Sequence, residues 1–120
     1  MAIKKAKQMK ALLLGAAGML GRDLASHVPA GISLVSLTRS DLDITDYDQV
    51  RRQFRLLAPD IVLNAAAWTR VDDAERSSTE ATRVNSDAVG VLSDVAGRTS
   101  TKIVHFSTDY VFEGTSNRPY

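Results

Sequence analysis

The 120-residue chain is 44% hydrophobic and 24% charged, ordinary proportions for one globular domain with a core of its own. Its formal charge of +1 conceals a split: Lys4, Lys5, Lys7 and Lys10 fall in the first ten residues, and the rest carries eleven basic and fourteen acidic residues. Basicity confined to a tail argues against a nucleic-acid surface, which needs basic residues gathered on a folded face. The absence of cysteine excludes disulfides and thiolate metal sites and agrees with a cytoplasmic location. The apolar Ala11–Leu14 run is broken at once by Gly15, Gly18 and Gly21, far short of the ~18 apolar residues of a membrane span.

In chain order, residues 1–8 read as a basic extension and residues 9–120 as one domain. Met9 to Leu14 is a short apolar run ending in glycine, a buried strand. Met19 to Val28 carries Leu20, Leu24 and Val28 at helical spacing, closed by Pro29 and Gly31. Ile32 to Leu37 is a second strand and Asp41 to Ile44 a short third one. Thr45 is expected to cap the next helix, with Asp48 completing an acidic capping box and Tyr47, Val50, Phe54 and Leu57 on one face. Ile61 to Leu63 is a fourth strand, followed by a polar loop. A long helix is expected from about Thr79 to Gly97, with a stripe of Ala81, Val84, Ala88, Val91 or Leu92, and Val95. Lys102 to Ser107 is the fifth strand. Strands alternating with helices predict an α/β fold with a parallel sheet.

The sharpest motif joins the first strand to the first helix. Gly15-Ala16-Ala17-Gly18-Met19-Leu20-Gly21 spaces its glycines G-x-x-G-x-x-G, against the G-x-G-x-x-G of many dehydrogenases. Gly15 permits the tight turn, Gly18 lets backbone approach a pyrophosphate, and Gly21 lets the helix pack on the strand. The helix start at Met19 and Leu20 offers free N–H groups and a positive dipole end to the anion. This context predicts a doubly wound parallel sheet of the Rossmann NAD(P)-binding type, with the chain incomplete at its C-terminus because a sixth strand and a substrate region are wanting.

Further candidates follow the strands. Thr38 and Arg39 stand where an NAD site places an acid on the ribose, and an arginine there can pair with a 2′-phosphate instead. The alternative is a solvated arginine beside Asp41. Asp43 could accept from an adenine amino group with Ile44 flanking the ring, or merely complement a helix dipole. Ala65 and Ala66 suit close approach of cofactor or of a helix. Ser107, Thr108, Asp109 and Tyr110 follow the fifth strand, at the edge where this fold places catalysis; a hydroxyl there can polarise a carbonyl, or simply cap a loop. His105 reads as structural, and no residue set has metal-ligand spacing.

Taken together these stretches resemble the dTDP-4-dehydrorhamnose reductases, extended short-chain dehydrogenase/reductases. The resemblance runs from about Met9 to Tyr120 through Gly15–Gly21, Asp41–Asp46, Pro59–Thr69, Val71-Asp72, Ala74-Glu75, Val84-Asn85 and, most specifically, Val104–Gly114. It implies reduction of the 4-keto group of a dTDP-linked deoxysugar with NADPH or NADH. The glycines would hold pyrophosphate, Asp43 and Ile44 flank adenine, Ala65, Ala66 and Ser107 line the cofactor, and Thr108 serve as the hydroxyl of a Ser/Thr-Tyr-Lys set, with Asp109, Tyr110 and Trp68 near substrate. It also admits Mg²⁺ and a homodimer contact. Three departures stand out. Trp68 occupies a position usually Tyr or His. The aspartate often found near Thr38 is missing, which favours NADPH. Tyr-x-x-x-Lys is absent: Arg51 and Gly114 follow Tyr47 and Tyr110 by four, and Tyr120 is last. A cofactor-binding segment with little reductase activity of its own is therefore expected. The alternatives are a non-catalytic regulatory subunit like that of methionine adenosyltransferase, or another nucleotide-sugar epimerase or reductase.

Overall fold

The computed structural model describes residues 7–120; most of the expected basic extension, Lys4 and Lys5 included, lies outside the described residues. Four parallel strands form one sheet in the order β2-β1-β3-β4: β1 (Met9–Leu14), β2 (Ile32–Leu37), β3 (Ile61–Asn64) and β4 (Lys102–His105). The central strand β1 is apolar on both faces, Ala11 to Leu14 all being buried, because helices cover both sides of a parallel sheet. Strand β2, at an edge, is less deeply covered and alternates over most of its length.

Leu12 and Leu14, two apart and so on one face, meet α2 (Tyr47–Leu57) and α5 (Ala88–Thr99) in the main core. Val50 and Phe54 from α2, Val62 from β3, and Leu92 and Val95 from α5 complete it, each no more than 2% exposed. The short α1 (Met19–Ser26) packs on β1, burying Gly21. It stops two residues before the expected end at Val28. Strand β4 likewise ends at His105, before Ser107. The His105 Nδ1 sits 3.2 Å from the Nδ2 of buried Asn64 on the neighbouring strand.

The structure corrects three expectations. Asp41–Ile44 is not a third strand but part of two successive turns. Asp41 and Leu42 donate backbone N–H groups to the Thr38 carbonyl, and Asp46 donates to that of Asp43. Leu42 and Ile44 are buried, which produced the strand-like alternation. The carboxylates of Asp41 and Asp43 take local N–H and O–H donors instead, and such bonds compete with a strand ladder.

The helix cap is also shifted by one residue. Asp46, not Thr45, caps α2, accepting from the Gln49 N–H at 3.0 Å and its side-chain amide at 2.9 Å. The long helix, finally, is divided. The polar loop contains α3 (Val71–Arg76), and α4 (Ser78–Thr82) passes through a π turn at Arg83–Asp87 before α5 begins. Beyond that turn Leu92 is fully buried in the core and Val91 packs, partly buried, against it.

Candidate functional site

Registers bring the strand ends level: Leu14 lies beside Leu37 and Asn64, and Asn64 beside His105. The segments after the strands therefore share one edge, which is where open α/β sheets take ligands.

Gly15 turns at φ +74°, a region costly for residues with a Cβ. A Cβ there would also lie 2.5 Å from the Ala66 nitrogen and 2.7 Å from the Ala65 carbonyl carbon. The loops after β1 and β3 thus touch through backbone, which accounts for the small residues on both. A Cβ on Gly21 would press into the Gly15 carbonyl and lie 2.8 Å from Ala16 Cα, so α1 sits directly on the turn.

Gly18 differs. It is the N-cap of α1 and makes no side-chain cap, leaving the N–H groups of Met19, Leu20 and Gly21 without a partner among the described residues. Unspent donors beside a glycine, at the positive end of a helix, suit an anion.

A cleft of about 210 Å³ opens beside this turn. It is lined by Gly15, Ala17 and Gly18 from the turn, Arg39, Asp43 and Ile44 from the segment after β2, Ala65, Ala66 and Trp68 after β3, and Val84 from the π turn. The structure thus gathers most of the expected cofactor residues around one opening. Met19 and Leu20 do not line it; the Met19 side chain is 91% exposed, and these residues offer only backbone N–H groups. Ser107, Thr108, Asp109 and Tyr110 lie after the neighbouring strand, exposed and outside the cleft lining. There Thr108 accepts from the Tyr110 N–H at 3.3 Å and caps a 3₁₀ turn at Asp109–Val111.

The carboxylates around the cleft are committed locally. Asp41 accepts from the Thr38 hydroxyl at 2.7 Å and its N–H at 2.8 Å, which holds its carboxyl below the usual range. Asp41 is therefore not the partner of Arg39, which forms no ion pair among the described residues. Asp43 Oδ1 accepts from the Thr45 hydroxyl at 2.7 Å and the Thr45 N–H at 2.9 Å. Those bonds, helped by the fields of Arg39 and Arg83, hold the Asp43 carboxyl below the usual carboxylate range. Its Oδ2 has no protein partner among the described residues and belongs to a cleft-lining residue.

Sequence reasoning passed over two residues behind the cleft. Asn85 pairs with both backbone groups of Trp68, and Arg83 donates to Thr45. Only the Val84-Asn85 pair within the resemblance pointed there. No cluster of three or more His, Cys, Asp or Glu side chains is placed to hold a metal among the described residues, and no helix there is long and apolar enough to cross a membrane.

A glycine turn between β1 and α1, with a cleft across the carboxyl ends of β2, β1 and β3, makes this a Rossmann-type α/β unit. Residues 9–120 match the family described as RmlD substrate binding domain. The chain belongs to that family, the dTDP-4-dehydrorhamnose reductases. It is 47% identical over 111 residues to dTDP-4-keto-6-deoxy-D-glucose reductase of Streptomyces niveus, covering 91% of this chain and 38% of that protein. It is 42% identical over 112 residues to dTDP-4-dehydrorhamnose reductase of Burkholderia thailandensis, covering 93% and 38% respectively. The crystal structure of dTDP-4-dehydrorhamnose reductase from Bacillus anthracis in complex with NADP superposes with a TM-score of 0.90 at 30% identity, over 95% of this chain and 41% of that one. The chain thus spans about two fifths of the length of the relatives it matches.

Proposed function

We propose that the cleft holds NADPH and that the whole protein reduces the 4-keto group of a dTDP-linked deoxysugar. The observation that carries the cofactor is the glycine turn: backbone packed closely at Gly15 and Gly21, with three unspent N–H donors beside Gly18 at the start of α1. The NADP-bound relative and the printed names of the reductases support the same reading.

Strand order supports one direction for the dinucleotide. Pyrophosphate lies over β1, adenosine toward β2, and nicotinamide toward β3 and β4. Asp43 then offers its free Oδ2 to the adenine amino group, Ile44 flanks the ring, and Ala65 and Ala66 leave room for the ribose. When bound, the reduced nicotinamide supplies a hydride. Thr108, after β4, hydrogen-bonds the substrate keto oxygen, with Asp109 and Tyr110 beside it. Trp68 walls the cleft on the nicotinamide side.

Arg39 is the element that selects the phosphorylated cofactor. It lies after β2, free of ion pairs among the described residues, and its neighbour Asp41 is engaged by the Thr38 hydroxyl and N–H rather than by Arg39. A charge-assisted bond at an exposed rim contributes toward the low end of about 1.5–3 kcal/mol, or roughly tenfold in affinity. Arg39→Ala is expected to weaken NADPH about tenfold while NADH is little changed, with NADPH the more salt-sensitive of the two. Calorimetric titration of each cofactor against each variant tests this; equal losses for both, or none, would make Arg39 a surface residue.

A further inference from the structure

A second groove, of about 360 Å³, lies between α2 and α5, and none of its residues lines the cleft at the carboxyl edge. Helical period places Tyr47, Arg51 and Arg55 in one row on α2. Arg98 and Thr99 border the opening from α5, over a floor made by buried Val95. Three guanidiniums thus surround one groove, in a chain whose residues from Ala11 onward carry more acid than base.

No acid lines the groove. Asp94, beside it, is already engaged: its Oδ2 accepts from Arg98 Nε at 3.0 Å and from the Tyr47 hydroxyl at 3.3 Å, tying the two helices together. Arg51 and Arg55 form no ion pair among the described residues. Helix polarity accounts for part of this. Arg55 and Arg98 stand in the last turns of their helices, where a cation meets the negative dipole end. Arg51 lies a turn earlier, and like charges four apart on one helix repel. A concave opening lined by one sign of charge concentrates the opposite sign within it.

We infer that this groove is a second ligand site, for an anion bearing a free chain of two or more phosphates. A guanidinium fork matches phosphate oxygens in pairs. Arg51 and Arg55, one turn apart, call for negative charge spread over more than one centre, which a lone carboxylate or sulfate lacks. Tyr47, at one end of the row and 39% exposed, offers an aromatic face to a base when the chain belongs to a nucleotide. The site is independent of the cofactor reading above. Each exposed guanidinium corresponds to about three- to tenfold in affinity.

The test titrates this chain with inorganic tripolyphosphate and, separately, with UTP, which lacks the adenine expected in the cleft. Calorimetry and backbone amide mapping by NMR are the readouts. Tripolyphosphate is expected to shift Arg51, Arg55, Val95 and Arg98 and to bind more tightly than sulfate. Arg51→Gln and Arg55→Gln should each weaken it about three- to tenfold. Both side chains are exposed and free of ion pairs among the described residues, so the fold survives their loss. Arg52→Gln removes the same charge from the same helix outside the groove lining and should leave affinity nearly unchanged, as should Arg39→Ala. UTP binding more tightly than tripolyphosphate assigns the site to nucleotides, and equal or weaker binding assigns it to the phosphate chain alone; either upholds the site. A loss in Arg52→Gln equal to that in Arg51→Gln means diffuse charge attraction and overturns the inference. So do shifts confined to Gly15–Gly21, or no binding at millimolar tripolyphosphate.

Discussion

Gly15→Ala is expected to cost about 2–5 kcal/mol of stability and to remove cofactor binding. The substitution meets two separate penalties. At φ +74° the new Cβ carries a left-handed strain of about 1–2 kcal/mol. It also overlaps the Ala65–Ala66 backbone, with the Ala66 nitrogen 2.5 Å away, so the ends of β1 and β3 must separate; overpacking of this kind costs about 1–3 kcal/mol more. Backbone cannot rotate away as a side chain would. Gly31 supplies the control. It has φ +86° but nothing within 4 Å of an added Cβ, so Gly31→Ala meets only the strain. Urea unfolding of the two variants should therefore separate them, with Gly15→Ala clearly the less stable. Equal losses would mean that the contact between the two loops contributes nothing.

Thr108→Val should lower kcat about 10²-fold in a full-length family member carrying this segment, with NADPH affinity near that of the parent. The figure is that for loss of one donor to a developing oxyanion. Thr108 also caps the turn at Asp109–Val111, so loss of the hydroxyl could act through the loop instead. Thr108→Ser separates these: it keeps both the cap and the donor and should retain most of the activity. A steady-state assay on the 4-keto sugar decides. An unchanged kcat in Thr108→Val leaves the residue a loop cap alone.

The parts of the fold legible in the sequence were those where pattern and burial coincide. Met9–Leu14 is apolar throughout because it is the central strand, and the glycines after it are spaced by the turn they build. Asp41–Ile44 misled because buried Leu42 and Ile44 alternate with acids as a strand would, while the acids take Thr38 and Thr45 as partners. Local side-chain bonds of this kind leave no periodic signature. The π turn is similarly hidden, since Ala81 and Ala88 keep a helical seven-residue spacing across it. The cleft residues Arg39, Asp43, Ile44, Ala65 and Ala66 were legible because each follows a strand and parallel strands end together. Asn85 was not, because its role depends on Trp68, 17 residues away across the cleft edge.

Backbone amide mapping by NMR during an NADPH titration tests the central claim most directly. The largest shifts are expected at Gly15–Gly21, Arg39, Asp43-Ile44 and Ala65–Trp68, all on the carboxyl edge of the sheet. Shifts concentrated instead at the opposite edge, around Arg55, Asp60 and Lys102, or none at millimolar cofactor, would contradict it.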